Sequence, residues 1–569
     1  MSKILPLQNK RNILITSALP YVNNVPHLGN IIGCVLSADV YARYCRNMNY
    51  NVLYICGADE YGTATEMKAR QENKTPREIC DKYFEIHKQV YKWFNISFDY
   101  FGRTSAENPK KSKNWPQTKI AQQIFIDVLK NDNLEEINGK QLYSSDLDTF
   151  LADRYVRGIC PFCNYDEADG DQCDNCGKLL SPVNLIQPYY KLNKNYKLEV
   201  KPTNHLYISL DKLQPELNKW FQSVKSNWTN NSISITNNWL NVGLKPRCIT
   251  RDLKWGTPVP DSDKYNDKYK DKVFYVWFDA PIGYLSITAN YTDDWELWWK
   301  NPDNVELVQF MAKDNVPFHS IVFPATLLGT GEKYTMVSKI CSTEYLNYEN
   351  KKFSKSKNTG VFGDSVQETG IPADIWRFYL LAIRPEAHDS YFLWDDFSDK
   401  INNILINNLG NFINRVLNLT FKKFKKIPMI SENQDISEYK PLFDIIKNIS
   451  EQYFENMENV KLRPSLLLIL DISREGNKFI NQTEPWKIKD TQKLEVIYNI
   501  LCHLISYISF LLNPFLPDTS EKLDKILNYK YREKEFSLNK LNSFELKKPK
   551  VLFNKITPEK LNDMKNKFG

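Results

Sequence analysis

A chain of 569 residues with 42% hydrophobic composition can bury several cores, so a multidomain globular protein is expected rather than an extended or low-complexity one. Its 75 basic against 68 acidic residues leave a net charge of +7, which allows an anionic partner without requiring one. Eleven cysteines, mostly scattered singly (Cys34, Cys45, Cys56, Cys341, Cys502), argue against a disulfide framework and suit a reducing compartment.

The N-terminus, MSKILPLQNKRN, has no apolar signal region, and a cytoplasmic location is expected. The longest apolar runs, such as Ile500 to Leu516, are broken by His503, Ser506, Ser509 and Pro514 and read as too short and too polar to span a bilayer. Ile13-Leu14-Ile15 reads as a buried strand. A loop from Pro20 to Pro26 then delivers His27-Leu28-Gly29-Asn30 to Ile31–Met48, where Ile32, Val35, Leu36, Val40 and Tyr44 recur at helical spacing. Strand, turn and helix N-terminus in that order fit ordinary βαβ packing. They also fit an anion site, with Gly29 permitting close approach and His27 offering a hydrogen bond to phosphate.

Asn51 to Cys56 forms a second buried-type strand ending in Gly57-Ala58-Asp59-Glu60, and helical stretches follow over 63–71 and 76–94. From about Ile124 the rhythm gives way to short strands and turns. It returns at Val273-Phe-Tyr-Val-Trp-Phe278, with further strand candidates at Val305 to Met311 and Ser320 to Phe323. Beyond about Phe397 the chain reads as helical, and Ile401, Leu405, Leu409, Phe412 and Val416 mark one buried face. The expected fold is α/β: a Rossmann-type doubly wound parallel sheet split by an insert and followed by an α-helical bundle.

Two clusters carry chemistry. Lys352-Phe353-Ser354-Lys355-Ser356, with Gly360 and Gly363 nearby, is either a solvated basic loop or a cationic one that closes over a polyphosphate. Cys160-Pro-Phe-Cys163 and Cys173-Asp-Asn-Cys176 place four thiolates at knuckle spacing, which points to one structural zinc site with four cysteine ligands.

HLGN and KFSKS resemble the His-Ile-Gly-His and Lys-Met-Ser-Lys-Ser motifs of class I aminoacyl-tRNA synthetases. SALPYVNNVPHLGN, CGADEYGT, VWFDAPIGY, FMAKDNVPFHS and NNLGNFINR, in that order, narrow the resemblance to the methionyl-tRNA synthetase family. Asn30 stands where the general motif ends in His, and Phe353 where it has Met. The resemblance implies activation of L-methionine by ATP to methionyl-adenylate, then transfer to the terminal adenosine of tRNA(Met), initiator and elongator alike, with the CAU anticodon read.

It implies that His27 and Asn30 hold the triphosphate together with Gly29 and Ser354. Lys352 and Lys355 would stabilise the departing pyrophosphate alongside Mg²⁺. Leu19, Tyr21, Trp277, Ala280, Pro281, Ile282, Tyr284 and His319 would line the methionine pocket, where aromatic rings suit a thioether, and Asp59 would take the ammonium. Asn411, Arg415 and Trp486 match the anticodon-reading positions. The expected divisions are a first Rossmann half over 1–123, a connective insert with the zinc knuckle over 124–248 and a second half over 249–345. The KFSKS loop and linking region follow over 346–400, and a helical anticodon-binding domain with its C-terminal tail over 401–569. No membrane partner and a monomeric state are expected. The alternatives are another class I synthetase, a small-molecule nucleotidyltransferase, and a tRNA-binding scaffold without catalysis.

Overall fold

The opening apolar run forms strand β1 (Asn12–Ser17), buried at every position, as the middle of a parallel sheet covered on both faces requires. With β2 (Asn51–Ala58), β3 (Tyr100–Arg103), β4 (Val305–Ala312) and β5 (Val337–Thr343) it makes a sheet of order β5-β4-β1-β2-β3. β1 runs parallel to β4, with Asn12 opposite Val305 and Ser17 opposite Phe310, and β2 runs parallel to β3. The chain leaves β1 toward β2 on one side and returns to β4 on the other. Such a switch point opens a crevice at the carboxyl ends of the strands. The computed structural model describes residues 3–170, 173, 175–176, 180–265, 268–349, 353, 360–430, 434–538 and 543–568.

Two expected strands are helices. Val273–Phe274 is a two-residue strand, and Val276–Tyr291 is helical, so VWFDAPIGY opens a helix. Ser320 to Phe323 lies in a helical stretch made of Phe318–Val322, a π-helical turn, and Phe323–Gly329. Both are buried almost all round, so the alternation that marks a surface helix is missing and their β-branched and aromatic residues imitate strands. Helix Val276–Tyr291 lies directly on the sheet. A Cβ on Gly57 would come within 2.5 Å of Ile287 Cδ1, and one on Gly102 within 2.9 Å of Ile287 Cγ2.

Helix Pro116–Lys130 spans the expected boundary between 123 and 124. Its Ile120, Ile124 and Phe125 share one core with sheet residues and with Leu206, Ile208, Leu217 and Phe221 of the insert. The insert also contains a long antiparallel ribbon, Leu134–Ser144 against Leu198–Ile208. Beside it, Val156–Ile159, Ala168–Asp169 and Ile186–Tyr190 form a small sheet with a separate core that includes Leu142, Leu151, Tyr155, Cys160 and Cys173.

The chain falls into two compact units. One comprises Met1–Val25, Leu53–Lys88 and Phe98–Cys341; the other comprises Pro26–Val52, Gln89–Ser97 and Ser342–Gly569. The second unit thus recruits the helix that follows His27, which runs through Leu28–Asn30, a π-helical Ile31–Leu36 and Ser37–Asn47. A buried ion pair explains the recruitment. Asp39 Oδ2 lies 2.8 Å from Arg377 Nη1, both side chains being fully buried. Arg377 also donates to the carbonyls of Phe515, Pro514 and Phe94, and Ser97 donates twice to Asp39. A buried pair survives only when its remaining donors and acceptors are matched in this way.

Helix Thr491–Leu512 corrects one expectation. By its length (22 residues) and the mean hydropathy of an 18-residue stretch within it (1.6) it is apolar enough to cross a bilayer, but 94% of that stretch is buried inside the protein. The C-terminal helix Pro558–Phe568 packs back within this unit: Lys565 pairs with Asp395 at 2.6 Å, and Tyr348 Oη donates to the Phe568 carbonyl.

Candidate functional site

A cavity of about 340 Å³ lies just beyond the ends of β1 and β2, lined by Ala18, Leu19, Tyr21, Asp59, Trp277, Ala280, Pro281, Tyr284, Asn315, Phe318 and His319. Backbone bonds from Asp59 N to Pro20 O (2.9 Å) and Val22 N to Asp59 O (3.3 Å) bring the two strand ends together. Tyr21 meets Trp277 edge-on at 6.3 Å, and Trp277 stacks on Phe318 at 3.5 Å. The structure therefore unites every predicted lining residue except Ile282. Successive helical residues turn by about 100°, so Ala280, Pro281 and Tyr284 face the cavity while Ile282 is fully buried in the core.

Ala18, Asn315 and Phe318 were missed. Reading 318–322 as helix would have found the last two, which then lie within about a turn of His319.

The polar groups of this cavity are fixed. His319 Nδ1 lies 2.9 Å from the Asn315 carbonyl, which can only accept, so Nδ1 carries the proton and Nε2 accepts from Tyr284 Oη at 2.8 Å. Burial lowers the His319 pKa to about 4, which keeps the ring neutral. Asp59 is buried, and its carboxyl is raised well above its ordinary range by that burial and by the neighbouring charges of Asp279 and Glu60. Asp279 stands behind it. It accepts from Gln117 Nε2 at 2.9 Å and from Thr257 Oγ1 at 3.2 Å, and burial raises it to about 7. A cation beside Asp59 would relieve the cost of ionising it.

In the other unit, His27 caps the helix reciprocally. Its Nδ1 accepts from Asn30 N at 3.3 Å, and its own N–H donates to Asn30 Oδ1 at 3.2 Å. Burial lowers its pKa to about 4, so the ring is neutral and Nε2 carries the proton. A Cβ on Gly29 would meet the His27 ring at 2.9 Å, so glycine is what lets the ring fold over the turn. Phe353, the apolar residue of KFSKS, stacks on His27 with centroids 4.7 Å apart and planes 4° apart. Phe362 bridges His27 through the backbone, and Gly363 N donates to Pro26 O at 2.8 Å. Two motifs more than three hundred residues apart in sequence thus meet at one imidazole. Lys352, Ser354 and Lys355 lie outside the described residues.

The Sγ atoms of Cys160, Cys163, Cys173 and Cys176 all lie within 4.8 Å of one another. Cys160–Cys176 is 3.9 Å and Cys163–Cys173 is 3.6 Å, against an S···S edge of about 3.8 Å for a tetrahedron with 2.3 Å Zn–S bonds. A backbone hydrogen bond from Tyr165 and one from Asn175 lower the Cys163 thiol to about 6. Four soft donors with supporting N–H groups fit a structural Zn²⁺.

In the bundle, Arg415 Nη1 donates to Asn481 Oδ1 at 2.7 Å, and its guanidinium lies 4.6 Å from the centroid of Trp486, which is 47% exposed. Asn411, one turn before Arg415 at the start of helix Asn411–Lys423, is also exposed. Trp486 sits in the turn between helices Leu462–Thr483 and Thr491–Leu512.

The sequence matches the family model of tRNA synthetases class I (M) over residues 13–417, and that of the anticodon binding domain of methionyl tRNA ligase over 431–569. It is 49% identical to the cytoplasmic methionine–tRNA ligase of Saccharomyces cerevisiae, covering 100% of this chain and 75% of that one. Against the Xenopus laevis enzyme the figures are 50%, 100% and 62%, and against the human enzyme 53%, 91% and 56%. The chain thus spans between 56% and 75% of the length of these three relatives. The fold matches that of Mycobacterium tuberculosis methionyl-tRNA synthetase in complex with methionyl-adenylate, with TM-score 0.77, 19% identity, and 95% and 99% of the two chains covered. With one family model matching most of the chain and another the remainder of its helical region, this protein belongs to the class I tRNA synthetases, in their methionyl branch.

Proposed function

We propose that this chain is a methionine–tRNA ligase of the cytoplasm, using ATP to form methionyl-adenylate and passing the methionyl group to tRNA(Met). The observation that carries the reading is the cavity at the ends of β1 and β2, an aromatic sleeve with one buried acid at its polar end. An unbranched thioether gains about 0.3–1.5 kcal/mol from each aromatic contact, and Tyr21, Trp277, Phe318 and Tyr284 supply the rings. The substrate ammonium pairs with Asp59. His319, held neutral, fixes the Tyr284 hydroxyl so that it presents oxygen lone pairs, and no mobile charge, to the sulfur end.

The methionine carboxylate attacks the α-phosphate of ATP and pyrophosphate leaves. A carboxylate is already ionised at neutral pH, so positioning and charge neutralisation carry the step. His27 donates from Nε2 to a phosphate oxygen, with Phe353 holding the ring plane, and Asn30 presents its amide N–H₂. Lys352 and Lys355, with Ser354, take the pyrophosphate charge. Mg²⁺ accompanies ATP and shares that charge when bound, and Zn²⁺ on the four cysteines is structural. Arg415 and Trp486, with Asn411, read the CAU anticodon by stacking and hydrogen bonding, which initiator and elongator tRNA share. The protein acts as a monomer without a membrane partner.

ATP–pyrophosphate exchange against a panel of amino acids tests the reading, with methionine expected to be the preferred substrate; preference for valine, isoleucine, leucine or cysteine would overturn it. Asp59→Asn is expected to raise the methionine KM by about 30-fold or more, as loss of a buried charge partner does. Trp486→Ala is expected to lower kcat/KM for tRNA by about 5- to 150-fold, the range for one lost base stack, with exchange unchanged. Equal loss of exchange and charging in that variant would remove the anticodon assignment.

A further inference from the structure

The helical unit holds a cavity of its own, about 600 Å³, whose lining residues take no part in the sites described above. Three stretches meet there: 370–375, 518–522 and 552–560. The first two open helices Ala373–Ala382 and Pro517–Leu527, whose N-cap residues, Pro372 and Leu516, supply no side-chain hydrogen bond. Two helix N-termini with positive dipole ends therefore reach the cavity without a Ser, Thr or Asp cap of their own. Lys522, Lys555 and Lys560 stand in the walls, and none of them pairs with an acid among the described residues. Ile371, Ile375 and Phe553 give the cavity a buried apolar side.

One buried acid interrupts this positive setting. Asp374 is 4% exposed, and its Oδ2 accepts from Thr519 N at 2.6 Å and Thr519 Oγ1 at 2.7 Å. Its Oδ1 is buried with no hydrogen-bond partner among the described residues. Arg377, whose charge acts on Asp374, directs its N–H groups instead to Asp39 and to three main-chain carbonyls. The other acid of the cavity, Asp518, is engaged, its Oδ1 accepting from Asn95 Nδ2 at 2.8 Å. A bare buried carboxylate oxygen is costly, so this cavity calls for a hydrogen-bond donor as well as an anion. We propose that it binds a phosphorylated sugar. The phosphate lies against the two helix N-termini and the three lysines, as anions do at such ends. A sugar hydroxyl donates to Asp374 Oδ1, and the carbon face of the sugar rests on the apolar side. Inorganic phosphate would answer the charges and not the acid; a plain sugar would answer the acid and not the charges.

Ribose 5-phosphate, titrated into the full chain by calorimetry beside inorganic phosphate and ribose, is the probe. Two variants accompany the unmodified protein. Lys522→Gln with Lys555→Gln removes two charges from exposed positions, where the fold tolerates change. Asp374→Asn keeps an oxygen for both Thr519 donors and replaces the free acceptor with an N–H₂ group. Saturable binding of ribose 5-phosphate, tighter than that of either fragment, is expected in the unmodified protein. The lysine pair should weaken it about tenfold or more, and Asp374→Asn should bring it down to the level of inorganic phosphate. Should Asp374→Asn fail to fold in a thermal melt, the lysine variant and the comparison with the fragments still decide. No saturation below about 10 mM would overturn the proposal, as would affinity equal to that of inorganic phosphate in the unmodified protein, or affinity unaltered by the lysine pair. The same sugar–phosphate unit recurs along an RNA strand, and competition separates the two sources. RNA that displaces ribose 5-phosphate, and that binds the lysine variant more weakly, marks the unit as part of a strand; RNA that leaves it bound marks a free sugar phosphate.

Discussion

Asp279 shows how much electrostatic cost one carboxyl can concentrate at this site. It is 2% exposed, and burial raises its pKa to about 7 against the lowering effect of its bonds from Gln117 and Thr257. A carboxyl whose folded pKa lies above its unfolded value holds a proton that the unfolded chain has already released. Stability is therefore lost as pH rises from 3.8 through about 7, by at most about 4 kcal/mol. Asparagine keeps the acceptor for Gln117 and turns its N–H₂ to the Thr257 oxygen. Asp279→Asn should raise the unfolding temperature at pH 8 and raise it less than half as much at pH 5. Calorimetry at the two pH values checks this, and a uniform loss at both would mean that the carboxylate is needed for packing rather than tolerated. Asp59 shifts in the same direction, and under the proposed function the ammonium of the substrate would supply the missing cation there.

Among the elements, those with local signatures were legible in the sequence. The strand–turn–helix over 12–47, the second strand, the helix over 63–71 and the cysteine knuckle each carry their signal within a few residues. The cavity-forming helices Val276–Tyr291 and Phe318–Gly329 do not, since burial on all faces erases helical periodicity. Ile282, which the resemblance gave as pocket lining along with its neighbours, instead lies in the core. The knuckle behaves differently from the rest of its unit, because its core of Leu142, Leu151, Tyr155, Cys160 and Cys173 is separate from the core under the sheet. Leu253 and Met67 pack against that small core. Metal binding to such a cluster is folding free energy. Stripping zinc with a thiol-competing chelator should release amide protection over 142–198 while β1 to β5 stay protected. Hydrogen exchange by mass spectrometry reads both regions at once. Protection unchanged over 142–198 would show that the thiols need no metal, and collapse of the sheet would show that the two cores are not independent.

At the scale of the molecule, both units hold buried histidines and carboxyls whose pKa values burial has moved. In the unit built on the sheet, His87 and His319 are depressed to about 4 by burial, but Asp59 and Asp279 are raised, so acid costs stability at the histidines and returns some at the carboxyls. In the helical unit, His27 and His503 are both depressed to about 4 by burial, and Asp39 is lowered, against its burial, by Arg43 and Arg377, so acid costs all three; Asp374 and Asp524 are raised there by burial. His503 is 1% exposed on helix Thr491–Leu512, and neither ring nitrogen has a hydrogen-bond partner among the described residues. A histidine whose folded pKa is below its unfolded value contributes stability above 6.5 that is lost as pH falls toward 4. For His503 this amounts to about 2 kcal/mol by pH 5. On acidification from pH 7 to 5 the helical unit should therefore lose amide protection before the sheet does. His503→Phe, which keeps a ring against Tyr529, should delay that loss and be more stable than the parent at pH 5, with the difference shrinking by pH 8. An acid transition that begins in the sheet, or one that His503→Phe leaves in place, would show that these histidines do not set the acid limit of the fold.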